Sequence, residues 1–123
     1  MKKFPIVVGI VSIVIIVGGV MFFSKDNSTN SYTNPSTYEF YWGEGCTHCA
    51  NVEEFLTTWE KKDTVSIAKI EVFKDQANAS KLLAAGNHCN LAQSEKGSVP
   101  LLVTPEGKCF LGDTPIIDFL KSL

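Results

Sequence analysis

The sequence has no surplus of positive charge, no internal repeat, and too few cysteines for a disulfide-built scaffold. Its net charge is −2. Lys2, Lys3 and Lys25 against Asp26 put the N-terminal part at +2, so the rest of the chain carries −4. An acidic surface of that kind excludes nucleic acid as the natural partner. With 123 residues there is room for one domain and an appendage, not for two domains. The four cysteines cannot staple a small fold by themselves, yet they are too many to ignore. No second Cys-x-x-Cys and no paired histidines stand at zinc-finger spacing, so Cys89 and Cys109 are isolated in the chain. No cysteine precedes the globular part to accept a lipid.

What is present begins with a long apolar run. Residues 1–23 read as an N-terminal transmembrane anchor, because Phe4–Phe23 contains no charge and only Pro5 and Ser12 interrupt it. Twenty residues at the helical rise span roughly 30 Å, the thickness of a bilayer's hydrocarbon core. Pro5 falls in the first turn, where a missing N–H is harmless. A cleaved secretory signal is the rival reading, but the run is longer than a usual signal core and no small-x-small site precedes Lys25. Two lysines before the span and one after it favour an N-terminus inside and a globular part outside the cytoplasm. Residues 24–36 are rich in Ser, Asn and Thr and read as a solvated tether with no apolar surface to bury. The flexible-chain estimate gives that tether a reach of roughly 20 Å, which keeps the domain near a membrane-embedded redox partner.

Residues 37–123 have ordinary globular composition, enough to bury a core without cross-links. Thr37–Trp42 is β-branched and aromatic and predicts a strand, broken by Gly43, Glu44 and Gly45. Cys49, Val52, Leu56 and Trp59 then recur at helical spacing, with Phe55 widening the stripe and polar residues, Glu53 and Glu54 among them, on the solvated face. This helix is expected to end near Lys61–Asp63. Val65–Phe73 alternates as a second strand, and Asp75–Ala85 reads as a second helix stopped by Gly86. Val99–Thr104 is a third strand. A turn at Pro105–Lys108 leads into a short fourth strand, Cys109–Leu111, forming a hairpin. Thr114-Pro115 reads as the start of a last helix. The order is β-α-β-α-β-β-α, an α/β fold.

Cys46-Thr47-His48-Cys49 stands where the first strand gives way to the first helix. Unpaired N–H groups and partial positive charge at a helix start stabilise a thiolate. They lower a thiol from about 8.5 into the range of roughly 3.5–7.5. Cys46 is expected to be exposed and nucleophilic, and Cys49, one turn deeper, to be shielded and to resolve. His48 offers a donor or positive charge beside the thiolate and points toward an oxidising pair. A lone Cys-x-x-Cys also serves as half of a metal site, so a copper- or zinc-binding module using Cys46, Cys49 and His48 is the alternative function. Cys89 and Cys109 are either a structural disulfide or two separate buried thiols. His88 reads as a surface residue after a helix end.

Trp42 through Cys49, the Val99-Pro100 pair, and the hairpin with Gly107 and Gly112 before a last helix resemble a thioredoxin/glutaredoxin-type domain over about Thr37–Leu123. The resemblance implies a thioredoxin-like fold with a central mixed four-stranded sheet flanked by helices. It also implies a cis Pro100 guiding substrate backbone beside the disulfide, and thiol–disulfide exchange with protein thiols and disulfides. No cofactor or metal is implied. The Cys-x-His-Cys form is similar to that of the periplasmic disulfide-forming oxidants. Three features depart from the family pattern: Phe40 stands where thioredoxins have a buried Asp, no glutathione-binding set is evident, and the oxidants' large helical insertion is absent.

Overall fold

The computed structural model describes residues 31–123. The anchor read over residues 1–23 and most of the tether lie outside the described residues. Among the described residues, no helix is long and apolar enough to cross a membrane.

Among the described residues, four strands and three helices follow one another: β1 Tyr38–Trp42, α1 Thr47–Thr58, β2 Ile67–Glu71, α2 Gln76–His88, β3 Leu101–Val103, β4 Cys109–Leu111 and α3 Asp113–Lys121. The sheet order is β2-β1-β3-β4, with β2 parallel to β1 and the other two pairings antiparallel. This is the thioredoxin-like α/β arrangement. β1 lies in the middle, so both its faces are covered, and its alternating side chains divide two cores. Phe40 joins Val52 and Leu56 of α1, Leu102, and Ile116 and Leu120 of α3. Tyr41 faces the other way, with Leu101, Val103, Val72 and, from α2, Leu82 and Ala85.

The helices start and stop differently from their sequence signals: α1 already ends at Thr58, ahead of Lys61–Asp63, with Trp59 extended. Gly86 does not end α2, which continues to His88. Gly86 is buried, and a Cβ there would lie 2.6 Å from the Lys96 carbonyl oxygen. It is glycine for close approach of the following loop, which outweighs its poor helical propensity. α3 begins at Asp113, ahead of Thr114-Pro115, with Gly112 as its N-cap at φ 97° and no capping side chain. Pro115 is then the third helical residue, whose N–H would be unpaired in any helix.

Tyr32, read as part of the solvated tether, is half-buried against the α2 core. Its hydroxyl donates to Glu39 Oε2 at 3.1 Å, and its ring lies 4.9 Å from that of His88. Glu39 is a buried carboxylate on the α2 face of β1. It also accepts from Tyr41 at 2.7 Å and pairs with the Lys81 ammonium. Burial, with the Glu39 charge alongside, pushes the Tyr32 phenol up to about 12. The packed residues therefore include Tyr32, five residues before Thr37. Tyr32 adjoins the β3–β4 turn, because Glu39 pairs with Val103 and His88 Nε2 sits 3.2 Å from the Gly107 carbonyl oxygen.

Candidate redox site

The opposite end of β1 leads through Gly43–Gly45 to Cys46, the N-cap of α1. Its sulfur accepts the Cys49 backbone N–H at 3.1 Å, which satisfies one of the unpaired donors of the first turn. Cys46 is half-buried and Cys49 is 1% exposed. The two are joined in a disulfide. A thiolate formed on Cys46 keeps the helix-end donor that the disulfide sulfur already uses.

Pro100 is buried immediately before β3, and the Val99–Pro100 bond is cis. Pairing of Tyr41 with Leu101 sets Pro100 beside the end of β1 from which the redox loop departs. The Pro100 carbonyl accepts the Gly112 N–H at 2.9 Å, so the start of α3 is tied to the same place. That tie carries a residue the sequence reading did not single out. Asp113 Oδ2 accepts from Asn51 at 2.6 Å and lies 3.0 Å from His48 Nδ1. The hydrogen bonds from Asn51 and His48 hold the Asp113 carboxyl down to about 2. The His48 side chain is 73% exposed and engages Asp113 rather than a sulfur. Any positive charge it carries therefore sits beside a compensating negative one. The 65-residue separation of His48 and Asp113 along the chain hides this pairing from local sequence patterns.

A folded-state pKa below the ordinary 3.8 means that the Asp113 links stabilise the fold above that value and are lost as pH falls through about 2. Asp113→Asn is accordingly expected to be less stable than the parent at neutral pH. The two should converge in acid unfolding followed by circular dichroism as pH falls toward 2. The same substitution removes the negative charge bonded to His48, two residues from Cys46. It is expected to make the pair more oxidising by about threefold in equilibrium constant, roughly 15 mV. An unchanged potential would show that Asp113 does not reach the sulfur electrostatically.

Cys89 and Cys109 form a second disulfide, remote from the first, at the pole where Tyr32 packs. His88 turns to Gly107 and Tyr32, and among the described residues no group of three or more His, Cys, Asp or Glu side chains is gathered to hold a metal ion. Trp42, Glu44, Cys46, Cys49 and Glu53 line a cavity of about 250 Å³ beside the redox pair. Tyr41 is turned away from it and Glu44 pairs with Lys74.

No family model matches the chain, and no curated protein matches it. Two solved structures resemble it: that of a thioredoxin-like protein, BC3987, and that of a point mutant of the same protein. The first is 27% identical, covers 70% of this chain and 99% of its own, and has a TM-score of 0.49. The mutant is 28% identical, covers 70% of this chain and 96% of its own, and has a TM-score of 0.48.

Proposed function

We propose that this protein is a thiol–disulfide oxidoreductase acting on other proteins outside the cytoplasm, with Cys46 as nucleophile and Cys49 as resolving cysteine. The observation that carries the reading is the asymmetry of the pair. One cysteine is half-buried at a helix start, not fully exposed as expected, with a backbone N–H directed at its sulfur, and its bonded partner is buried one turn deeper. In the reducing direction the Cys46 thiolate attacks a substrate disulfide, releasing one substrate thiol and leaving a mixed disulfide. Cys49 then attacks Cys46, closing the internal disulfide and releasing the second thiol. The oxidising direction is the reverse. Pro100, beside the end of β1 from which the redox loop departs, offers backbone for a substrate strand to lie against.

Location outside the cytoplasm is supported by the apolar run Phe4–Phe23 and by the Cys89–Cys109 bond, a kind of cross-link that persists in oxidising compartments. In intact cells, a membrane-impermeant maleimide applied after mild reduction is expected to label Cys46. Labelling only after lysis would contradict the location. The fraction of Cys46 found oxidised before reduction reports direction: mostly oxidised for an oxidant, mostly reduced for a reductase or isomerase.

A further inference from the structure

Among the described residues, one buried side-chain polar atom has no hydrogen-bond partner: Glu53 Oε1. Such an atom calls for a physical reason, because an unmatched buried acceptor is costly. Glu53 is four residues after Cys49 on α1, and side chains at that spacing are neighbours on one helix face. Glu53, Cys46 and Cys49 also line the same cavity. The other oxygen, Oε2, is held by Lys69 Nζ at 2.8 Å from β2. The carboxylate is thus held at one oxygen by an ammonium, while its other oxygen is buried without a donor. The structure holds the oxidised pair, in which neither sulfur carries a hydrogen.

From this geometry we infer that Glu53 is the proton acceptor for the Cys49 thiol during resolution of the mixed disulfide. The inference rests on the function proposed above and assigns a step within it. When the internal disulfide opens, Cys49 gains an S–H, and Oε1 gains the donor it lacks. As the Cys49 sulfur attacks Cys46, its proton passes to Glu53 while the bond between Cys46 and the substrate sulfur breaks. The substrate leaves as a thiolate and takes up a proton from Glu53 or water, restoring the carboxylate. Two electrons pass from the Cys49 and Cys46 sulfurs to the substrate, and no other reactant is needed. A free carboxylate and a free thiol differ by about four pKa units. Proton transfer therefore accompanies attack. The charged groups facing Glu53 are Lys69 from β2, the developing thiolate of Cys49, and Glu44 across the cavity, itself paired with Lys74. Phe40, on the strand beneath, offers no proton-accepting group.

The test uses the chromogenic aryl disulfide dithiobis(nitrobenzoate) on the reduced full-length protein. Attack by Cys46 releases a first nitrothiobenzoate, and resolution by Cys49 releases a second. This leaving group departs as an anion, so the second phase isolates deprotonation of Cys49. Glu53→Gln, which retains an oxygen for Lys69, is expected to slow the second phase by about tenfold to a hundredfold at neutral pH. The first phase should change far less. The slowed phase should quicken with rising pH more steeply than in the parent, as hydroxide replaces the missing base. Glu53→Asp keeps a carboxylate and should recover part of the rate. A second phase in Glu53→Gln equal to the parent's at every pH would overturn the inference and leave the proposed function standing. If the reduced parent released no nitrothiobenzoate from Cys46 at all, the proposed function and this inference would fall together.

Discussion

Replacing Cys46 by Ala should lower exchange with a protein disulfide by at least about a thousandfold, the order expected when a catalytic nucleophile is removed. Cys49 cannot substitute for it, because a residue 1% exposed cannot meet a substrate sulfur without the helix opening. Cys49→Ala should behave differently. It retains the Cys46 sulfur at the helix start, so the first attack proceeds and the protein stalls as a mixed disulfide. Only the backbone N–H of residue 49 is needed at Cys46, and Ala supplies it. Mass spectrometry of an acid-quenched reaction should find the adduct on Cys49→Ala and none on Cys46→Ala. Comparable turnover in the two variants would contradict the assigned roles.

The second large effect is expected on stability. Cys89 and Cys109 are 20 residues apart, and closing a loop of that length in the unfolded chain stabilises the native state by about 3 kcal/mol in the chain-entropy estimate. That is a large fraction of the 5–15 kcal/mol typical of a whole domain. A double Cys89→Ala, Cys109→Ala variant should therefore lose about 3 kcal/mol in denaturant unfolding, and roughly 15 °C in Tm for a domain of this size. Its exchange rate through Cys46 should be near the parent's, because the two disulfides lie at opposite poles of the sheet. A loss well under 1 kcal/mol would mean that the folded hairpin and α2 hold together without the bond.

The features legible in the sequence were those whose signals are local. The aromatic run at Tyr38–Trp42, the glycine break and the Cys46–Cys49 spacing together carried β1, the loop and the start of α1. Gly86 misled because a glycine chosen for close approach to Lys96 and a glycine that ends a helix look alike in one dimension. Asp113 was invisible as a partner of His48 because only the packing of α3 beside α1 unites them. Glu39 left a fainter trace. A strand at the centre of a sheet is covered on both faces, so a carboxylate between Tyr38 and Phe40 had to be buried, and its companions Tyr32, Tyr41 and Lys81 follow from that need. Glu53 had a readable spacing from Cys49, but α1's polar residues had been assigned to solvent as a group. Only the buried, unpaired Oε1 separates it from its neighbours.

The central claim is that Cys46–Cys49 is an exchanging pair and not a structural cross-link. Equilibrating the protein in glutathione or dithiothreitol redox buffers and counting free Cys46 by mass-resolved alkylation measures this directly. The account predicts a single two-electron transition between about −270 and −120 mV, the span of thioredoxin-like oxidoreductases, with Cys89–Cys109 reduced only at lower potential. A Cys46–Cys49 midpoint below about −300 mV, in the range of structural disulfides, would contradict it.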